Sequence, residues 1–138
     1  MVGLAARVAM CAVCPAGYPR RMTAKVLAIA IDCHDAEALA GFWCGALGQE
    51  ISTRFDDAEG VTYVETSGDP VLVFQPVPDA KALKNRLHLD LAPVEGGQYD
   101  EIDRLVALGA VVIADEPEFP WVVLTDPEGN EFCVLPPR

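Results

Sequence analysis

Basic residues are scarce in this chain of 138 residues, which has 10 lysines and arginines against 21 aspartates and glutamates and a net charge of −11. Because nucleic acids and anionic membrane surfaces are bound through positive charge, this balance argues against both as partners. It is compatible with a neutral or cationic small molecule. A hydrophobic content of 51% indicates a folded chain, and the length suits one domain with a substantial core.

The sequence also lacks the pattern of a disulfide framework. Its five cysteines are odd in number and irregularly spaced, which favours free thiols in a reducing cytoplasm. Cys11 and Cys14 have the spacing of half a zinc site, but no second pair follows. Since tetrahedral structural zinc needs four ligands, we expect no structural zinc here.

The first 21 residues do not have the features of a signal peptide or a membrane span. Only Arg7 supplies early positive charge, and the pair Arg20 and Arg21 follows the apolar stretch instead of preceding it. The stretch is also too short to cross a bilayer. We therefore expect a loosely held extension over residues 1–21 and the functional domain over residues 22–138.

An internal repeat of about sixty residues is the strongest positive signal in the chain. Residues 25–33 read KVLAIAIDC and residues 85–93 read NRLHLDLAP, and each run leads to a helical pattern that ends in Ala-Leu-Gly. By this spacing, Ala28 in the first copy corresponds to His88 in the second. The repeat indicates two packed copies of one supersecondary unit, with room for a ligand cleft between them.

Module one, at about 25–77, is predicted to open with a strand over 26–31, because a continuous apolar run is typical of a strand buried on both faces. Asp35 is placed to cap a helix that ends at Gly48. Trp43, on the apolar face of that helix, is predicted to pack in the core. Three strands are predicted to follow as a meander, over 50–55, 61–66 and 71–77.

Module two, at about 86–136, follows a linker over 78–85. Its first strand, 86–91, alternates strictly, so leucines share one face while His88 and Asp90 share the other. A helix ending at Gly109 and three further strands complete the module, over 110–113, 121–125 and 131–135. The prediction is an α+β fold of two βαβββ modules.

With both units laid out, the chain resembles the vicinal oxygen chelate superfamily, which includes glyoxalase I, bleomycin-resistance proteins and extradiol dioxygenases. The likeness rests on the first strand and helix through Phe42 and Trp43, on Arg86-Leu87-His88-Leu89-Asp90-Leu91, and on the ending Asp-Pro-Glu-Gly-Asn-Glu-Phe at 126–132. It implies that the two βαβββ modules form a half-open curled sheet around a cleft. It also implies a homodimer.

The resemblance also implies where a metal would be bound. In the metal enzymes of the superfamily each module supplies one ligand from its first strand and one, usually glutamate, from its last. His88 fits in module two, but the matching place in module one is Ala28, and the glutamate place in module two is Cys133. Gln75 could contribute an oxygen. One imidazole and one thiol do not hold a hard cation such as Mg²⁺ or Mn²⁺. We therefore expect no cofactor, with a weakly bound divalent metal as the alternative.

The candidate site residues follow from these placements. His88, Glu131 and Cys133 are the catalytic candidates, because the resemblance points Cys133 into the cleft and Glu131 lies on the same side of its strand. The expected ligand contacts are Tyr63, Phe74, Gln75, Asp90 and Trp121, with the three aromatic residues forming a wall for a planar ligand. His88 and Asp90 are strand neighbours about 6–7 Å apart, so a direct bond between them needs side-chain reach or water. Asp126 and Asn130 are predicted to be turn residues.

Three functions are consistent with this sequence. The first is a metal-independent small-molecule binding protein, in which His88 contributes affinity. The second is an enzyme of the lyase, isomerase or dioxygenase type, in which His88 acts with Cys133 or Glu131. The third is an accessory module whose strand edges mediate assembly. No nucleic acid or membrane partner is expected in any of them.

Overall fold

The structure, a computed structural model, describes residues 24–138, so the predicted extension over 1–21 lies outside the described residues. The elements follow the predicted order of strand, helix and three strands, twice over. Module one contains β1 (Ile29–Cys33), α1 (Ala36–Leu47), β2 (Ile51–Asp56), β3 (Thr62–Thr66) and β4 (Leu72–Pro76). Module two contains β5 (Asp90–Leu91), α2 (Gln98–Leu108), β6 (Val111–Ala114), β7 (Val122–Thr125) and β8 (Glu131–Val134).

The predicted fold of two βαβββ modules is confirmed. Each module forms a four-stranded mixed sheet, in the order β1-β4-β3-β2 and β5-β8-β7-β6. The first and last strands of each module pair in parallel, and the other pairs are antiparallel. The two sheets do not close into a barrel. Within the described part of the chain, no helix is both long and apolar enough to cross a membrane.

Helix α1 forms where the sequence predicts it. The Asp35 carboxylate accepts a hydrogen bond from the Ala38 N–H at 2.9 Å, which satisfies one of the free donors of the first turn. At the other end Gly48 has φ of 64°, the left-handed conformation that glycine adopts without a Cβ clash. Leu39, Phe42 and Trp43 are buried on the face between these ends. Capping and periodicity together therefore predict this element correctly.

The first strand of each module begins later than predicted. β1 begins at Ile29 opposite Leu72, so residues 26–28 would stand opposite residues 69–71, which precede β4. Val26 and Leu27 are instead 79% and 73% exposed. β5 pairs Asp90 with Cys133, so by the same register residues 86 and 87 would stand opposite residues 129 and 130 of the turn before β8. The predicted strands 26–31 and 86–91 are thus wrong at their first residues, 26–28 and 86–89.

The backbone pairing corrects the internal alignment of the two modules. The Val77 N–H donates to the Cys33 carbonyl, and the Leu135 N–H donates to the Leu91 carbonyl. Both pairs stand at the end of the parallel ladder, and they are 58 residues apart (91 minus 33 and 135 minus 77). His88 therefore corresponds to Ala30, and not to Ala28 as the sequence spacing predicts. Cys133 corresponds to Gln75 and Asp90 to Asp32 by the same offset.

One apolar core joins the modules. Phe132 of β8 lies 5.2 Å from Trp43 and 6.2 Å from Phe42, measured between ring centroids. Polar contacts cross the same boundary: the Glu128 carboxylate accepts from the backbone N–H groups of His34 and Asp35 at 2.7 and 2.8 Å. Side-chain packing and hydrogen bonds therefore hold the two modules at a set separation.

Candidate functional site

A cleft of about 210 Å³ lies between β1 of module one and residues 85–89 of module two. It forms because β1 and β5 are edge strands of separate sheets and do not pair with each other. We call this space the cleft. Its walls are mostly apolar and come from both modules: Ile29, Ile31, Trp43, Leu87, Leu89 and Phe132. Ala30, which is exposed on β1, also lines it.

Several polar groups in the cleft are already engaged by the protein. Asp126, only 2% exposed, accepts hydrogen bonds from the Trp43 indole at 3.1 Å and from the backbone N–H groups of Glu128 and Asn130 at 3.0 and 2.9 Å. The Asn130 side-chain amide donates to the same carboxylate at 2.9 Å. The predicted turn roles of Asp126 and Asn130 are confirmed. The Trp43 contact adds a link between modules that the sequence did not reveal.

Besides Asp126, Asn130 and Glu131, the polar residues that line the cleft are Asp32, Asn85 and His88. Asp32 is exposed on β1, and the ion pairs formed within the described residues do not include it. His88 is 42% exposed at its side chain and uses Nε2 toward Asp90, which leaves its other ring nitrogen for a ligand. No lysine or arginine is among the described residues that line the cleft.

Glu131, a predicted catalytic residue, acts as an anchor for the linker. Its carboxylate accepts from the Asn85 backbone N–H at 3.0 Å and lies 3.0 Å from the Lys81 ammonium. These bonds, led by that of Asn85, lower the pKa of Glu131 to about 2. A carboxylate that remains ionised at neutral pH and is already bonded twice is a poor proton donor.

The Glu131 anchor predicts a specific acid sensitivity. A carboxyl group whose pKa is lower in the folded state than in the unfolded state stabilises the fold at pH values above its unfolded-state pKa. This contribution is lost as the pH falls toward the folded-state pKa. Stability should therefore decrease as the pH falls from about 4.5 to about 2. In Glu131→Gln that step should be missing, and stability at pH 7 should fall by about 1–3 kcal/mol because the Lys81 and Asn85 donors lose a charged partner.

Urea titrations at a series of pH values measure this effect. Glu59→Gln is a suitable control, because Glu59 is an exposed turn residue. An unchanged acid profile in Glu131→Gln would show that the anchor does not contribute to stability.

His88, Asp90 and Cys133 form a compact group that we call the trio. One donor atom from each lies within 4.8 Å of the others, and His88 Nε2 is 3.3 Å from Asp90 Oδ1. The side chains thus reach each other directly, although their strand positions are two apart. Burial raises the pKa of the Cys133 thiol, and the Asp90 carboxylate raises it further. Without another partner the thiol is therefore protonated at neutral pH, which makes it a weak nucleophile.

The other predicted contacts do not join the cleft. Phe74 is fully buried in the core, opposite Val64 on the next strand, so it does not form a ligand wall. Tyr63 stacks on Phe55 at 5.2 Å in module one, and Trp121 stacks on Phe119 at 4.8 Å in module two. Gln75 is half-buried on β4, opposite Asp32. The predicted aromatic wall is therefore two separate stacked pairs, on different sheets.

The sequence did not identify Asp32 and Trp43 as cleft residues. Asp32 has a detectable signal, since it is the only charged residue of the β1 sequence IAIDC. Trp43 is 2% exposed, in agreement with its predicted place in the core, and it also lines the cleft. A helix face alone does not show which part of a large side chain remains beside a cavity.

The family described as glyoxalase-like domain matches residues 28–135 of the chain. No curated protein matches it. Among solved structures, the fosfomycin resistance protein FosX from Mesorhizobium loti is 13% identical with a TM-score of 0.66, over 83% of this chain and 92% of that one. Trypanothione-dependent glyoxalase I from Leishmania major is 15% identical with a TM-score of 0.62, over 82% and 86%.

A third similar structure is a mutant of FosX from Listeria monocytogenes, in complex with Mn(II) and 1S,2S-dihydroxypropylphosphonic acid. It is 15% identical with a TM-score of 0.64, over 83% of this chain and 93% of that one. At these identities the likeness shows a shared fold. The metal and the ligand belong to that protein.

Proposed function

The chain belongs to the family of glyoxalase-like domain proteins, and on that basis we propose that it binds a small organic molecule in the cleft between its modules. The cleft itself is the observation that carries the proposal. It is concave and mostly apolar, it is lined by both modules, and it has Asp32 and His88 at its surface. Small-molecule sites combine an apolar lining with a few polar groups in this way.

The size of the cleft limits the ligand. Drug-sized ligands occupy sites of about 300–1,000 Å³, whereas a cavity of about 150 Å³ is enough for benzene. The cleft, at about 210 Å³, lies between these values. A single ring with one short polar substituent is the class of ligand that it suits.

The charge of the cleft favours a neutral or cationic ligand. Asp32 is an exposed carboxylate there, and the described lining offers no lysine or arginine to an anion. A phosphonate such as the ligand of the Listeria FosX complex would meet Asp32 with no compensating cation. The net charge of −11 acts in the same direction.

Binding in the cleft is proposed to be independent of a hard metal ion. By the backbone register, the four positions where the metal enzymes of the superfamily take ligands hold Ala30, Gln75, His88 and Cys133. An alanine cannot coordinate, and a thiol suits Mn²⁺ poorly because hard cations prefer oxygen. The donor set of this chain therefore does not fit the Mn(II) of the Listeria FosX complex.

The enzyme alternative has less support from the side chains. It needs His88 to act with Glu131 or Cys133. Glu131 is bonded to Lys81 and Asn85, and the Cys133 thiol has a raised pKa. His88 has only the Asp90 carboxylate beside it, 3.3 Å from its Nε2. Without Glu131 or a Cys133 thiolate as a second acid–base group, binding is the better supported function.

A homodimer belongs to the same proposal. The edge strand β6 exposes Val111 and Ile113 at 57% and 53%, and an apolar edge strand without charged residues is a ready surface for pairing with another chain. The three described cysteines are free, which agrees with a reducing cytoplasm. Native mass spectrometry of the untagged protein reports the subunit count.

Fluorescence of Trp43 tests the cleft proposal. Trp121→Phe leaves Trp43 as the only tryptophan, and Trp43 lines the cleft. Three probes share one ring and differ in charge: benzylamine, benzyl alcohol and benzoate. We expect saturable changes in Trp43 fluorescence, with an affinity that decreases from benzylamine to benzyl alcohol to benzoate, because Asp32 attracts the cation and repels the anion. Asp32→Asn should reduce the ratio of the affinity for benzylamine to the affinity for benzoate at least tenfold. If none of the probes saturates, or benzoate binds best, the proposal is wrong.

A further inference from the structure

We propose that the ligand of the cleft is a diamine whose second ammonium group binds in a neighbouring cavity of about 230 Å³. This cavity, which we call the linker pocket, lies between the end of β1, residues 77–83 and the turn at 126–130. The inference rests on the proposed binding function of the cleft. The cleft alone suits a ring with one short polar substituent, and the linker pocket adds room for a chain that ends in a second amine.

The linker pocket adjoins the cleft at two side chains. Asp32 and Asn130 line both spaces. An ammonium group that binds Asp32 from the cleft therefore stands at the border between the two, and a chain attached to it can extend into the linker pocket. One water molecule takes up about 30 Å³ of liquid, so the linker pocket has room for a chain of several heavy atoms.

The uncompensated charge of the linker pocket is negative. Asp32 and Asp79 are exposed carboxylates that line it, and neither belongs to the ion pairs formed within the described residues. Lys81 is the only lysine or arginine in the described part of the lining. Its ammonium is occupied, because it donates to the Leu83 carbonyl at 2.6 Å and lies 3.0 Å from the Glu131 carboxylate. Asp32 meets the first ammonium of the ligand, which leaves Asp79 as the counter-ion of the second.

The start of α1 does not turn the linker pocket into a site for an anion. A helix N-terminus attracts negative charge, and His34, which lines the pocket, directly precedes the N-cap of α1. The protein supplies that negative charge itself. The Glu128 carboxylate accepts from the His34 and Asp35 N–H groups at 2.7 and 2.8 Å, and Asp35 accepts from the Ala38 N–H. These donors are already used, so a cation is the better match for the pocket.

A series of three probes tests the linker pocket through Trp43 fluorescence in the full chain carrying Trp121→Phe. The probes share a benzylamino group and a straight four-carbon chain, and they end in an ammonium, a methyl or a carboxylate group. They are N-benzylputrescine, N-pentylbenzylamine and N-benzyl-δ-aminovalerate. We expect the ammonium probe to bind at least fivefold more tightly than the methyl probe, and the carboxylate probe to bind most weakly, because Asp79 attracts the first and repels the last.

Two matched variants assign this preference to one carboxylate. Asp79→Asn should reduce the ratio of the affinity for the ammonium probe to that for the methyl probe at least fivefold, and it should leave benzylamine binding unaltered. Asp103→Asn removes the same charge from an exposed position on α2 that lines neither cavity, so it should preserve the ratio. The proposal is wrong if the methyl or carboxylate probe binds as tightly as the ammonium probe, or if the two variants have equal effects.

Benzylamine separates failure of this proposal from failure of the cleft function. A protein that binds benzylamine and does not prefer the ammonium probe keeps the cleft function and loses the diamine proposal. A protein that binds neither benzylamine nor the longer probes loses both.

Discussion

Replacing Asp126 by alanine is expected to lower the free energy of unfolding by about 2–4 kcal/mol, which is a large part of the stability of a small domain. Asp126 is 2% exposed and accepts four hydrogen bonds, from Trp43, Glu128 and twice from Asn130. Its removal leaves the buried Trp43 indole N–H without a partner, and a buried unsatisfied donor costs its full desolvation. Urea unfolding followed by circular dichroism measures the loss.

Two further variants separate the stability that Asp126 contributes through its contact between the modules from the stability that it contributes within its turn. Asp57 bonds the Glu59 and Val61 N–H groups within one turn of module one, so Asp57→Ala should cost about 1 kcal/mol. Trp43→Phe removes the indole donor and keeps the turn intact. If Asp126 joins the modules, Asp126→Ala should cost clearly more than Asp57→Ala, and its effect should shrink in the Trp43→Phe background. Equal losses of unfolding free energy in Asp126→Ala and Asp57→Ala would show that Asp126 stabilises only its own turn.

The Asp126 contact matters because it helps to set the width of the cleft. The turn at 126–130 reaches back to α1 through Asp126 and Trp43, and to the residues before α1 through Glu128. On the far side of the helices, Arg104 donates to the carbonyls of Gly45 and Ala46 at 2.9 Å each. The walls of the cleft are therefore held by contacts at both ends of α1, which favours a preformed site over one assembled by its ligand.

The parts of the fold that depend on local signals could be predicted from the sequence. Asp35 and Gly48 mark the ends of α1 because capping is a property of a few adjacent residues. The ends of β1 and β5 could not be predicted in this way. Each strand depends on pairing with a strand more than 40 residues later in the chain, as Ile29 pairs with Leu72 and Asp90 with Cys133. The apolar run through Val26 and Leu27 has the composition of a strand and has no partner.

For the candidate site, too, only the features that depend on local signals could be predicted from the sequence. Strand alternation correctly placed His88 and Asp90 on one face, because that relation is local. It could not show that Lys81 and Asn85 would bond to Glu131, since the path of the linker is set by tertiary contacts. The prediction that Phe74 contacts a ligand rests on its aromatic ring, but Phe74 lies on the buried face of β4. Val73 and Gln75 lie on the opposite face, which points away from the core. A residue type indicates chemistry, and only the register shows which face carries it.

Replacing Ala30 by phenylalanine is expected to weaken binding of benzylamine at least 100-fold while changing the free energy of unfolding by less than about 1 kcal/mol. Ala30 is exposed on β1 and lines the cleft, so the new ring enters open space and not the packed core. A cavity of about 150 Å³ accommodates benzene, and the cleft has about 210 Å³, so one phenyl ring would occupy most of it.

Ala58→Phe is the matched control for this change, because Ala58 is an exposed residue in the β2–β3 turn and does not line the cleft. It adds the same ring to the surface and should leave benzylamine binding unaltered. Titrations followed by Trp43 fluorescence in the Trp121→Phe background give the affinity, and urea unfolding gives the stability. If Ala30→Phe binds benzylamine as well as its parent does, the probe lies elsewhere. Because Ala30 and His88 occupy equivalent places in the two modules, loss of binding in Ala30→Phe together with weaker binding in His88→Ala would locate the ligand at the junction of the modules.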